Sequence, residues 1–392
     1  MTARRSIRSL PGWMKAWVER IRGKDSGNSA RTFLPPSDPE LDPDAAMLQT
    51  ATHPTQRRFD FARRESSAAP SAGWIKREQA IMGTAISVEL WADDARLGQA
   101  ACAAVLEEMH RIDRRMSPHK PASELSRINH EAGLRAVRLS EEMFRLLVRA
   151  RQFAELSRGA FDITYAAIGQ LYDYRAGVRP DEAALEAARA AVGWRHLELD
   201  AHNQSVRFRK PGMRIDLGGF AKGYAVDNAI TLLQRLGIAH AYVAAGGDSR
   251  VLGDRRGRPW TVAIRDPRRA GEVVAVLPLE DTAISTSGDY ERYFDEMLPE
   301  GGVRRHHHLI DPASGHSPQD VTSVTILAPD GLTAEALSKT VFVLGAARGL
   351  ELLETTPGVD AVIIDAHGQL HATPGLMNVG PVAATTPQGE NA

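Results

Sequence analysis

RIDLGGFAKGYAVD, Arg214 to Asp227, is the stretch around which this chain is organised. Met213, Ile215 and Leu217 alternate with their neighbours as a strand would, and the pair Gly218-Gly219 then interrupts them. Val226, Ala229, Ile230 and Leu233 follow on one face of a helical pattern. The spacing predicts strand, tight turn, helix. Two glycines permit positive φ and a close approach of backbone to ligand, while the helix's first turn offers unpaired N–H groups at the positive end of its dipole. Such a junction favours anions, phosphates above all. Lys222 adds a full positive charge in that turn, and Asp216 is placed to accept hydrogen bonds from a ribose or an amide. Glycines at a strand–helix turn are more often plain structure, so the stretch alone leaves both readings open.

Moving outward, Ile81 to Trp91 (IMGTAISVELW) alternates like a half-buried strand and precedes a helical pattern from Ala95 to Arg115. Beyond it lies MSPHKPASELSRIN, Met116 to Asn129. Ser140 reads as the N-cap of a helix with Glu141 and Glu142 in its first turn, leading into GAFDITYAAIGQLYDY, Gly159 to Tyr174. On the far side come AYVAAGGDSRVLG (Ala241 to Gly253), AISTSGDYERYF (Ala283 to Phe294), HLIDPASG (His308 to Gly315) and a helix bearing TAEALSKTVFVLG (Thr333 to Gly345). His306 to His308 invites a metal reading, but consecutive strand residues point to opposite faces and cannot form a compact ligand set. A neutral imidazole, by contrast, accepts a hydroxyl's proton near pH 7.

These stretches, in this order, resemble the motifs of the ApbE family, the FAD:protein FMN transferases, over residues 78 to 376. DLGGFAKGYAVD is similar to the family's DLGGxAKGYAxD, and Met82-Gly83-Thr84 to its MGT. The resemblance implies an α+β fold, ApbE-like and T-fold-like, of mixed antiparallel sheets with packed helices. It also implies that Met82 lies against bound FAD, that His119 stands where the family has an aromatic packing on the flavin nucleotide, and that Ala160, Phe161 and Asp162 contact FAD. Ile310 is implied beside the nucleotide, and of the three adjacent histidines the motif resemblance singles out His308 as the candidate for proton transfer. In the implied reaction an acceptor hydroxyl attacks FAD, AMP leaves and FMN stays on the protein. The implied partner is an acceptor flavoprotein subunit of a redox complex. From other classes come two alternatives: an FAD-binding homologue without transferase activity, and an FAD pyrophosphatase.

One helix departs from the family pattern. ADALSTALFVLG there carries an Asp and a Thr that hold Mg2+ with the intervening Ser and a backbone oxygen of the glycine turn. Aligned without gaps, the ligands become Glu335 and Ser338 with the Gly219 backbone, but the Thr becomes Lys339. An ammonium is a poor neighbour for a divalent ion. Either Lys339 replaces the cation as a fixed charge near the phosphates, or Glu335 and Lys339 satisfy each other, a pairing worth about 0.3–0.5 kcal/mol when exposed.

At its ends the chain changes character. Residues 1–74 read as an extension, 75–380 as the transferase-like domain and 381–392 as a polar tail. Trp13, Trp17, Val18 and Ile21 share one face of a short basic amphipathic pattern, which reads as a weak membrane-surface or partner contact or, more simply, as a marginal helix in a tail. From Gly23 to Ser71 the Pro-, Ser- and Arg-rich chain reads as linker. With 392 residues, 43% of them hydrophobic, and a net charge of −1, no global field points to nucleic acid. Cys102 stands alone, which excludes an internal disulfide. No apolar run approaches the roughly 18 residues of a membrane span, and no apolar core follows Arg4-Arg5, so a cytoplasmic location is expected.

Overall fold

Alternation builds the first strands, but as two. The computed structural model describes residues 71–299 and 301–377. In it β1 (Gly73–Ile81) pairs antiparallel with β2 (Thr84–Ala92), in register from Gly73↔Ala92 to Ile81↔Thr84. Met82 and Gly83 make the turn with φ of 57° and 71°. Positive φ at both central residues matches the twist of the flanking strands, which is why such turns dominate tight hairpins. The run Ile81 to Trp91, expected as one strand, is therefore cut after its first residue. Met82 is held in a left-handed conformation that its side chain disfavours.

The helix expected next is α1 (Ala95–Met116), capped by Asp94, and it is followed by α2 (Glu124–Glu131) and β3 (Val137–Arg138). Helix α3 (Glu141–Leu156) starts where expected: the Ser140 hydroxyl accepts from the Met143 N–H at 3.2 Å. Short helices α4 (Ala166–Gly169) and α5 (Glu182–Arg189) lead to β4 (Leu197–Asp200) and β5 (Ser205–Phe208), which join β3 in a small sheet of order β3-β5-β4. Helix α6 (Ala221–Arg235) carries the organising stretch. Strands β6 (Ala241–Ala245), β7 (Asp248–Leu252), β8 (Trp260–Arg265), β9 (Val273–Leu279), β10 (Ala283–Gly288), β11 (Tyr293–Met297), β12 (Val303–His307) and β13 (Val321–Ala328) come next. Helices α7 (Gly331–Leu344) and α8 (Ala346–Glu354), strands β14 (Asp360–Asp365) and β15 (Leu370–Ala372), and a last turn α9 (Pro374–Met377) complete the described chain.

Eight strands form one sheet of order β1-β2-β6-β7-β10-β13-β14-β15, antiparallel at every pairing. Helices α1, α6, α7 and α8 pack against it and against one another. The β8–β9 hairpin closes a second apolar cluster in which Trp260, Ile264 and Leu277 meet Val251, Ile284 and Val362 of the large sheet. Segregated helices on an antiparallel sheet make this an α+β fold, as expected. Among the described residues no helix is long and apolar enough to cross a membrane. The basic helix expected within Pro11 to Arg22, the linker up to Pro70 and the tail from Pro381 lie outside the described residues.

Candidate active site

The segment Met213 to Leu217 is extended but pairs with no strand. Its backbone is satisfied by a side chain: the Asn129 amide donates to the Ile215 carbonyl at 2.9 Å and accepts from the Ile215 N–H at 2.8 Å. Asp216 N–H donates to the Ile163 carbonyl at 3.0 Å. The expected strand is thus replaced by a single extended run, because one asparagine offers the donor and acceptor that a neighbouring strand would. Neither Gly218 nor Gly219 takes positive φ. They are required for closeness instead: a Cβ on Gly218 would fall 2.8 Å from the Asp216 carboxylate and one on Gly219 3.2 Å from the Phe161 ring. The Asp216 carboxylate accepts from the Gly218 N–H. Burial raises its proton affinity against that bond and against the positive charges of His119, Arg214 and Arg292.

Helix α6 begins without a side-chain cap from its own N-cap residue, Phe220. The partner comes from α7, where Glu335, fully buried, accepts from the Gly223 N–H at 2.7 Å through Oε2. This corrects the expectation that the first-turn N–H groups stand free for a phosphate, since one of them already holds a carboxylate. Lys222 Nζ binds both Glu335 Oε1 and Asp248 Oδ2. Burial works against its charge, but those two carboxylates outweigh burial and raise its pKa. Asp248 would likewise be pushed up by burial, and Lys222 with Lys339 holds it down. Lys339 Nζ lies 3.3 Å from Glu335 Oε1, one helical turn along α7. In this pair Glu335 is fully buried and Lys339 half-buried at the cavity wall, and the carboxylate is shared with a second lysine.

Beneath this group runs a polar seam between α7 and the sheet. The Ser338 hydroxyl lies 3.1 Å from that of Ser285 and 2.8 Å from that of Ser287, and donates to the Glu335 carbonyl at 2.9 Å. Ser285 also donates to Asp248, its cross-strand partner. Asp227, the last residue of the organising stretch, turns to the start of α7 and accepts from the N–H groups of Gly331 and Leu332 at 2.8 and 3.0 Å.

These elements border a cavity of about 770 Å3. Of the residues singled out from sequence, Met82, Ala160, Phe161, Asp162 and Asp216 line it, as do Gly219, Lys222, His308, Ile310 and Lys339. Three do not. Glu335 and Ser338 lie buried beneath the wall, and His119 is exposed outside the lining. The Asp162 carboxylate is occupied structurally: it accepts from Thr164 N–H and Oγ1 at 2.8 and 2.7 Å and from Trp194 N–H at 2.8 Å. The three adjacent histidines go to different places. His306 Nε2 meets Glu296 at 2.8 Å, His307 Nε2 donates to the Pro318 carbonyl at 2.8 Å, and His308 faces the cavity. Burial first, then the charges of Lys339, His307, Arg292 and Lys222, push the His308 pKa down to about 3. Its Nδ1 is buried and finds no hydrogen-bond partner among the described residues.

Sequence reasoning passed over two groups that the fold brings here. Asp248 was legible only as part of AGGD, and Arg292 only as part of GDYER. Arg292 lines the cavity, its guanidinium beside Gly83 at the β1–β2 turn, and it holds no ion pair among the described residues. A charged residue ahead of a strand is ordinarily a solvated one, so nothing local marked it.

The expected divalent site fits poorly. Both Glu335 oxygens are taken, by two ammoniums and an N–H, and the Ser338 hydroxyl is committed to Ser287 and the Glu335 carbonyl. Among the described residues no group of three His, Cys, Asp or Glu side chains is arranged to hold a metal.

The model of the ApbE family matches residues 82–363. The chain is 34% identical over 325 residues to the FAD:protein FMN transferase of Treponema pallidum, covering 77% of this chain and 87% of that protein. It is 33% identical over 254 residues to that of Haemophilus influenzae, covering 62% and 72%. Among solved structures, the ApbE protein of Thermotoga maritima superposes with a TM-score of 0.71 at 32% identity, covering 78% of this chain and 98% of that one. The flavin transferase ApbE of Vibrio cholerae superposes at 0.68 and 27% identity, covering 77% and 97%.

Proposed function

Because the chain belongs to the ApbE family, we propose that it transfers FMN from FAD to a Ser or Thr hydroxyl of an acceptor flavoprotein. The single observation that carries this beyond membership is the cavity. It brings Met82, Phe161, Asp216, His308 and Ile310, all singled out from the family motifs, to one wall system. Its volume falls in the range of roughly 300–1,000 Å3 common for small-molecule sites. In this reading the isoalloxazine lies along the apolar wall of Met82, Phe161 and Ile310, with Asp216 accepting from its polar edge. The diphosphate faces Lys339 and Arg292.

The acceptor oxygen attacks the FMN-side phosphorus, the bond from that phosphorus to the oxygen bridging the two phosphates breaks, and AMP departs with the electron pair. The hydroxyl's proton goes to His308. A pKa near 3 makes that imidazole a weak base without ligand, and an anionic diphosphate beside it offsets Lys339 and Arg292 and strengthens it. The acceptor in this reading is a subunit of a redox complex, and the reaction runs in the cytoplasm.

Purified protein incubated with FAD and an acceptor peptide tests the proposal by mass spectrometry. Covalent FMN on the peptide with stoichiometric AMP supports it. AMP and free FMN released without peptide would make the protein a pyrophosphatase, and intact bound FAD would make it a binder.

A further inference from the structure

Glu335 and Asp248 are two carboxylates almost without solvent contact, and their charges are met by the ammoniums of Lys222 and Lys339. The group sums to zero. Adding a divalent ion would leave an excess of two positive charges in a buried setting, where desolvation is costly and like charges repel strongly. It would also have to displace an ammonium, because Glu335 has no free oxygen. The two lysines are not equivalent. Both line the cavity, but Lys222 bridges both carboxylates in direct contact, whereas Lys339 touches only Glu335, at 3.3 Å. Turning Lys339 toward a phosphate oxygen leaves Glu335 still bonded to Lys222 and to the Gly223 N–H. The looser ammonium is therefore free to serve a ligand without stranding a buried carboxylate.

We propose that Lys339 is a built-in replacement for a divalent cation, so that this chain holds the FAD diphosphate without Mg2+. This rests on the reading of the cavity as an FAD site. A lysine ammonium is a point charge with three donors and cannot bridge two phosphates as a metal does, so Arg292 supplies the second contact in a forked geometry.

The full chain is titrated with FAD in EDTA and in excess Mg2+, following flavin fluorescence, and Mn2+ uptake is followed separately by electron paramagnetic resonance. The expected dissociation constants agree within about twofold, and protein with FAD retains no more Mn2+ than FAD alone. Lys339→Met should weaken FAD binding at least tenfold in both buffers. The pair Lys339→Thr with Glu335→Asp should take up one Mn2+ and bind FAD at least tenfold better with Mg2+ than with EDTA. FAD binding by the natural chain only with Mg2+, or stoichiometric Mn2+ uptake by it, overturns the inference while leaving the FAD site standing. Absence of FAD binding in either buffer overturns the FAD site itself, and the inference with it.

Discussion

Gly223 of α6 and Gly331 of α7 bring the backbones of two helices into contact: a Cβ on Gly223 would lie 2.1 Å from the Gly331 carbonyl oxygen. This approach allows Glu335 on α7 to reach the Gly223 N–H, and so sets the carboxylate that both lysines share. The obstacle is backbone, which has no rotamer to yield. Gly223→Ala should therefore force the helices apart and destabilise the fold by at least the roughly 1–3 kcal/mol typical of overpacking. Urea unfolding of the variant should show a lower midpoint, and an unchanged midpoint would mean the contact is looser than described.

Asn129 replaces a strand for Ile215, and its loss should be felt at the site. Asn129→Ala leaves a backbone donor and acceptor unpaired, which costs about 1–3 kcal/mol where the groups stay buried. Because Asp216 follows directly, FAD affinity should fall together with stability. Asn129→Asp keeps an acceptor but lacks the donor, so it should recover only part of the loss.

Arg292 is expected to act on the ligand rather than on the fold. Exposed and without an ion pair among the described residues, it has no structural partner to strand. Arg292→Ala should leave the thermal midpoint within a degree or two while weakening FAD binding about 10- to 100-fold, in keeping with roughly 1.5–3 kcal/mol for a charge-assisted contact. A large fall in thermal midpoint with unaltered FAD affinity would assign it to the scaffold.

His308 makes a pH prediction whose sign follows from its burial. Its folded pKa, about 3, lies below the ordinary value of 6.5, so between these limits the unfolded chain binds a proton that the folded chain does not. Stability should therefore fall as pH drops from about 6.5 toward 3, and His308→Gln should flatten part of that fall. In the ligand-free protein the His308 imidazole should remain neutral throughout pH 5–8 by nuclear magnetic resonance. Observing it charged at pH 6 would show that the pocket is wetter and less positive than described. The same variant should lose transferase turnover far more than FAD affinity.

Much of this protein follows from its sequence alone. Alternation, caps and turn residues specify neighbours within a strand or a helical turn, so the Ser140 cap, the helix from Ala95 and the helix after Gly219 were legible locally, and the order of the motifs sufficed to identify the family. Local pattern could not show that Met82 and Gly83 form a hairpin turn, or that Asn129 would take the place of a strand beside Ile215. Nor could it show how the charges combine. Lys222 meets Asp248 across 26 residues and Glu335 across 113, and only the packing of α6 on α7 over the sheet brings them together. Read along one helix, Glu335 and Lys339 look like an ordinary surface pair. Burial changes their meaning, because in a dry interior every charge must be answered by another, and the tertiary structure alone decides which.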